Sequence, residues 1–180
     1  FVEESLQLLG ITQDDILIHE HENQYRQLYL GNSLTHDGYS NCPPRKEIFE
    51  IYQRMVSKAL TIPLSIQCHD KVYISRRTWI NKKTDNIGTN YTTRRKLMNE
   101  DQLVENLQQL GFQEVFGENY SMTQKIHLFY YSKIIVGAIG GTISNCVFSH
   151  PQTRIITIVS PEFLNLNSRM KFLFNEQVGG

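Results

Sequence analysis

From Lys71 onward, short apolar segments alternate with amphipathic ones, and this alternation constrains the fold more than any other feature of the chain. The order is strand, helix, strand, helix, strand, short helix and strand, at 71–75, 100–110, 113–116, 122–132, 134–136, 142–148 and 154–159. Asn99 and Ser121 are the predicted N-caps of the two longer helices. Apolar strands separated by amphipathic helices are typical of a parallel sheet covered on both faces. Because crossovers between parallel strands are right-handed, the sequence predicts an α/β, doubly wound, Rossmann-like domain.

The first sixty residues are patterned less regularly. Residues 2–9 place apolar side chains at helical spacing and Gly10 follows, which predicts a short helix ended by glycine. A second amphipathic helix is predicted through residues 46–60. Two further apolar segments, 16–18 and 27–30, are predicted to be short strands.

The composition narrows the classes of partner. Of the 180 residues 40% are hydrophobic, which is enough for a core, and Lys+Arg and Asp+Glu both number 18. A chain without net charge has no overall preference for nucleic acid or acidic lipid, and no apolar run is long enough for a membrane span. We therefore expect neither nucleic-acid binding nor membrane contact within this segment.

Cysteine and histidine spacing gives no metal motif. The three cysteines, Cys42, Cys68 and Cys146, lie far apart, and their odd number argues against a complete disulfide framework. His19 and His21 share one face of an extended segment, but no third ligand lies nearby in the sequence. We predict no metal site.

The loop after the first predicted strand has a concentrated positive charge. Residues 75–96 carry seven cations against the single acid Asp85, and these cations are Arg76, Arg77, Lys82, Lys83, Arg94, Arg95 and Lys96. Ligands of open parallel sheets bind beyond the carboxyl ends of the strands, and arginine forks pair with phosphate oxygens two at a time. The loop therefore suits a diphosphate. A solvated basic loop is the competing interpretation, and a single loop is a small footprint for nucleic acid.

A second loop at the same edge of the sheet is rich in glycine. Residues 137–145 (GAIGGTISN) connect the third predicted strand to a helix. Glycines allow a backbone to approach a ligand closely, and the N–H groups that open a helix attract phosphate. The spacing of Gly137, Gly140 and Gly141 is not GxGxxG and the following helix is very short, so a nicotinamide or flavin dinucleotide is not favoured.

Four segments, taken in order and spacing, resemble glycosyltransferase family 61. They are VYISRR at 72–77, RRKLMNEDQLVENLQQLGFQEV at 94–115, SMTQKIHLFYYSKIIVGAIGGTISNCVF at 121–148 and RIITIVSPE at 154–162. The resemblance implies a two-lobed GT-B fold and an inverting transfer from a nucleotide-sugar donor without a metal at the donor site. It also implies that residues 1–65 belong to the N-terminal, acceptor-side lobe with a crossover helix, and residues 66–180 to the nucleotide-sugar-binding lobe. Because the chain does not begin with Met, we expect it to be a piece of a longer protein.

The resemblance also implies which residues bind the donor. Arg76 falls where the family's strand-end arginine faces the diphosphate. The other matching positions are Arg95, Asn99 and Glu100 on an Arg-x-x-x-Asn-Glu element, and Gly140, Gly141, Thr142 and Asn145 on the glycine loop and the helix that opens there. The donor is expected to be a UDP-sugar carrying a hexosyl, N-acetylhexosaminyl or pentosyl group, the acceptor a glycan or protein hydroxyl, and no cofactor is expected to be covalently bound.

Two questions about mechanism stay open at the level of sequence. An inverting transfer needs a general base, and His36 and Asp37 in the loop 35–41 are the candidates, although the sequence favours a turn in which Asp37-Gly38 simply sets geometry. Ile139 stands where the family usually has His, and Thr157 where a Glu is common. These departures favour the alternative of a non-catalytic binding or scaffold module with the same fold.

Overall fold

A four-stranded, all-parallel sheet forms the centre of the protein in the computed structural model, which describes residues 2–17, 24–27, 29, 46–77 and 97–161. The strands are β1 (Lys71–Ile74), β2 (Gln113–Val115), β3 (Ile134–Ala138) and β4 (Arg154–Ile158), in the spatial order β2-β1-β3-β4. In the register of the sheet, Ile74 lies between Val115 and Gly137. The predicted parallel α/β architecture is confirmed.

Four α-helices and three 3₁₀-helices accompany the sheet in the described ranges. The α-helices are α1 (Val2–Leu8), α2 (Lys46–Ala59), α3 (Glu100–Gln109) and α4 (Met122–Tyr131), and the 3₁₀-helices are Gln13–Asp15, Gly117–Asn119 and Ile143–Phe148. The short helix predicted at 142–148 is therefore a 3₁₀-helix that begins at Ile143. No helix in these ranges is long and apolar enough to cross a membrane.

Each face of the sheet has its own hydrophobic core, because successive strand residues point to opposite faces. On one face, Val72, Ile74 and Ile135 pack with buried residues of α1, α2, α4 and the 3₁₀-helix Ile143–Phe148. On the other face, Tyr73 and Val136 pack with α3. The two cores are the physical reason that the central strands are apolar on both sides.

The ends of the helices follow local chemistry. At the start of α4, the Ser121 hydroxyl accepts a hydrogen bond from the Gln124 N–H at 3.2 Å, and the Gln124 side chain accepts from the Ser121 N–H at 2.9 Å. Ser121 is therefore the N-cap of α4, as predicted. Asn99 precedes α3, but its side chain makes no capping hydrogen bond. Gly10 and Gly111 both have φ of 82°, a left-handed conformation that favours glycine and ends α1 and α3.

Two details of the sequence prediction are wrong in the described ranges. Residues 16 and 17 are not a strand, because the Asp15 carboxylate accepts hydrogen bonds at 2.8 Å from both the N–H and the hydroxyl of Thr12 and closes a 3₁₀ turn. Gln27 and Tyr29 are irregular and exposed, while Leu28 and Leu30 lie outside the described residues.

The helices before the sheet pack directly on it. Leu8, Met55 and Ala59 belong to the same core as β1 and β3. The Nε2 atom of the buried His127 lies 2.8 Å from the Ala59 carbonyl oxygen and so joins α4 to the end of α2. The Glu4 carboxylate accepts a hydrogen bond from the Met122 N–H at 2.6 Å and so joins α1 to the start of α4. The division of the chain at residue 65 stays a prediction.

Candidate functional site

The strand order creates a crevice between β1 and β3. From β1 the chain continues to β2 on one side, and from β3 it continues to β4 on the other side, so the connections that leave these two neighbouring strands run in opposite directions. The loops that follow β1 and β3 therefore diverge at the carboxyl edge of the sheet. In open α/β sheets this switch point is where ligands bind. Both loops that the sequence singled out begin here.

Arg76 and Gly140 meet at this crevice. An ideal Cβ built on Gly140 would collide with Nη2 of Arg76 and would lie 3.2 Å from its Cζ. Gly140 does not have the positive φ that requires glycine elsewhere in the described chain. The absence of a side chain at this position is therefore needed for the approach of the guanidinium group, and not for the backbone conformation.

Arg77 is held differently from its neighbour. Its Nε and Nη2 atoms donate to the two carboxylate oxygens of Glu114 at 2.9 and 2.5 Å, and its Nη1 donates to Asp101 at 2.8 Å. Only 15% of the Arg77 side chain and 11% of the Glu114 side chain is exposed. The carboxylate of Glu114 raises the pKa of Arg77 further above its ordinary value. This cation ties the end of β1 to β2 and α3.

Glu100 lies beneath the end of β1 with 2% exposure. Its Oε1 atom accepts hydrogen bonds from the Tyr73 hydroxyl at 2.8 Å, the Arg76 backbone N–H at 2.8 Å and the Ser75 hydroxyl at 3.3 Å. Its Oε2 atom is buried and has no hydrogen-bond partner among the described residues. Burial, followed by the hydrogen bond to Glu100, raises the pKa of Tyr73, so its hydroxyl stays a donor. Glu100 thus fixes the backbone from which the Arg76 side chain leaves.

The glycine loop is held by its own side chains. The Asn145 amide donates to the Thr142 carbonyl oxygen at 2.8 Å, and the Ser144 hydroxyl donates to the Gly140 carbonyl oxygen at 3.1 Å. Ile139 is buried in the core of the sheet at the start of the loop. These contacts give the loop a defined path directly after β3.

A third loop touches the glycine loop. Gly117, which follows β2, packs so closely on the Thr142 side chain that an added Cβ would collide with it. The loops after β2 and β3 therefore meet over the end of β1. The sequence patterns gave no prediction of this contact, although a glycine directly after a predicted strand was a signal that another group approaches the backbone closely.

The predicted site residues fall into three groups. Arg76, Gly140 and Glu100 come together around the crevice, with Gly141, Thr142 and Asn145 in the loop beside it. Asn99 is exposed at the beginning of α3. Arg95, His36 and Asp37 lie outside the described residues, so their placement stays a prediction. Within the described ranges, no group of three or more His, Cys, Asp or Glu side chains could hold a metal ion.

Comparison with known families identifies the chain. The model of the family described as Glycosyltransferase 61 matches residues 17–156, which include β1, β2, β3, the crevice and most of β4. Comparison with curated proteins gives no match, nor does comparison with solved structures. The matched segment is more than half of the 180 residues and agrees with the parallel α/β sheet. The chain belongs to the glycosyltransferase 61 family, and its described part is a Rossmann-like portion of a glycosyltransferase.

Proposed function

We propose that the protein transfers a sugar from a nucleotide-diphosphate donor to an acceptor hydroxyl with inversion of the anomeric centre, and that Arg76 binds the donor diphosphate. The observation that carries this proposal is the position of Arg76, which leaves the end of β1 and lies against Gly140 across the switch point. A cation at this position would stand beside a ligand that enters the crevice between β1 and β3.

The chemistry of sugar transfer requires such a cation. Negative charge develops on the nucleoside diphosphate as the glycosidic bond breaks, and donors placed in advance at that charge lower the barrier. A guanidinium group can pair with two phosphate oxygens at once. The guanidinium group of the neighbouring Arg77 lies on Glu114 and Asp101, away from the glycine loop, whereas that of Arg76 lies against Gly140, so the position of Arg76 favours it as the group that serves the donor.

Inversion in a single displacement also needs a base on the acceptor side. His36 and Asp37 are our candidates for removing the acceptor proton, as the family resemblance places loop 35–41 in the acceptor-side lobe. Arg95 is proposed to assist Arg76 at the diphosphate. We propose a UDP-sugar as the donor and a glycan or protein hydroxyl as the acceptor.

The first experiment is a thermal-shift panel of the protein with UDP, GDP, CMP and their sugar conjugates, without added metal. We expect selective stabilisation by one nucleoside diphosphate, with UDP first. Transfer from a UDP-sugar with an α-linked anomeric centre should give a β-linked product, which proton NMR of the anomeric signal reports. An α-linked product would contradict the inverting mechanism, and no shift with any nucleotide would contradict the donor site.

A second candidate function is a non-catalytic binding module. The buried position of Ile139 favours it, because the side chain at this point of the glycine loop packs in the hydrophobic core and has no group that can bind phosphate or carry a proton. This alternative predicts that a nucleotide diphosphate binds weakly or not at all and that no sugar is transferred. Saturable nucleotide binding together with turnover would exclude it.

A further inference from the structure

The first turn of α3 contacts the two arginines after β1 differently, one through its backbone and the other through its side chain. The Glu100 carboxylate accepts a hydrogen bond from the Arg76 backbone N–H, whereas the Asp101 carboxylate accepts one from the side chain of Arg77. Glu114 on β2 accepts two further hydrogen bonds from the Arg77 side chain. The start of α3 therefore contacts the backbone of Arg76 and the guanidinium group of Arg77.

The two guanidinium groups lie in different places. The guanidinium group of Arg77 is held on β2 and α3 by two carboxylates, whereas that of Arg76 lies on Gly140. The Arg76 side chain extends from the end of β1 to Gly140, and its guanidinium group lies on the glycine. The direction of Arg76 thus depends on the turn at Ser75–Arg77, and that turn is anchored on Glu100.

We propose that Glu100 is a positioning residue that sets the direction of Arg76 through the backbone and does not itself contact the donor. Three donors converge on its Oε1 atom, and all three belong to the end of β1. Glu100 is almost completely buried, so a ligand in the crevice would meet Arg76 and the glycine loop first. The inference rests on the proposed donor site for its consequence in binding, and the placement of Arg76 can be measured without a ligand.

The experiment compares Glu100→Ala and Glu100→Gln, with Glu105→Ala as the control because Glu105 is an exposed acid on the same helix. Hydrogen exchange of the Arg76 backbone amide and the NMR signal of its Nε–H group report its placement. In E100A, loss of a charge-assisted hydrogen bond should speed exchange of this amide by about tenfold. E100Q should stay near the wild type, because its amide oxygen can still accept from the three donors. E105A should change neither signal.

Binding of UDP by calorimetry supplies the second measurement. E100A should weaken it by about tenfold and E100Q should largely retain it. If E100A does not fold, Glu100→Asp is measured instead, because its shorter side chain withdraws the carboxylate from the Arg76 amide. Unchanged exchange and an unchanged Nε–H signal in the folded Ala or Asp variant would overturn the proposal, as would an equal loss of UDP binding in E100Q. A wild type that binds none of the tested nucleotides would contradict the donor site, and the exchange data would still decide the positioning role.

Discussion

At the scale of single residues, the site depends on the difference between two adjacent arginines. Arg76 lies against Gly140, and Arg77 is bound by Glu114 and Asp101. The charge pattern predicted that cations follow β1 without distinguishing them, and the family resemblance assigned Arg76 to the diphosphate, but neither could predict how Arg77 is held. The partners of Arg77 are 24 and 37 positions away, so only the folded chain reveals that they meet.

Gly140→Ala should reduce nucleotide binding through Arg76. The added methyl group collides with the far end of a flexible side chain, which can move away, so we expect thermal stability close to that of the wild type. The displaced guanidinium group should cost about 1.5–3 kcal/mol of UDP binding, the range for a charged hydrogen bond. Calorimetric titration of UDP measures this cost.

A double-mutant cycle with Arg76→Ala isolates the cause. If the methyl group acts by moving Arg76, then Gly140→Ala should cost almost nothing in the R76A background, and the two losses should not add. Additive losses would show that Gly140 serves the ligand independently of Arg76.

At the scale of elements, the sequence predicted the sheet well because its periodicity reflects burial. β1 to β4 and the helices between them were found within a few residues, since each central strand is apolar on both faces and α3 and α4 each bury one side. The failures are local. The turn closed by Asp15 replaced a predicted strand at residues 16 and 17, because hydrogen bonds between a short polar side chain and the backbone outweigh two exposed apolar residues.

The link between β1, β2 and α3 through Arg77 should contribute measurably to stability. Arg77→Ala leaves the mostly buried Glu114 without its cation, and we expect a loss of about 1.5–3 kcal/mol in the free energy of unfolding, the range for a hydrogen bond to a charged group. The matched control is Lys133→Ala, which removes a cation that is 74% exposed and paired with the exposed Asp70. That change should cost less than about 1 kcal/mol. Equal losses in urea unfolding would contradict this role of Arg77.

At the scale of the whole molecule, burial of tyrosine and cysteine side chains should make the fold less stable in alkali. Burial raises the pKa of Tyr52, Tyr73 and Tyr120 and of the thiols of Cys68 and Cys146. In the unfolded chain these groups ionise at about pH 8.5 for cysteine and about pH 10 for tyrosine. Each of these groups has a higher pKa in the folded protein than in the unfolded chain. Its contribution to the free energy of unfolding is therefore complete below the unfolded pKa and is lost as the pH rises through the folded pKa.

Near pH 7 these groups should not change the free energy of unfolding as the pH varies. Above about pH 8.5 they should make it fall. The contribution of the fully buried Cys146 to the slope of unfolding free energy against pH should approach about 1.4 kcal/mol per pH unit. Cys146→Ala should therefore flatten the decline more than Cys68→Ala, whose thiol is only half-buried. Urea unfolding between pH 7 and pH 10 measures both slopes, and identical slopes in the two variants would contradict the assignment to Cys146.

The central claim concerns the whole site: a nucleoside diphosphate binds at the crevice between β1 and β3, and Arg76 holds it. The most direct measurement is calorimetric titration of UDP into the wild type, Arg76→Ala and Arg154→Ala. Arg154 is an exposed arginine at the beginning of β4, at the opposite edge of the sheet, so it controls for the loss of a positive charge. We predict that R76A weakens binding by about 1.5–3 kcal/mol, as for a charged hydrogen bond, and that R154A binds like the wild type. Equal affinities of R76A and the wild type would contradict the account.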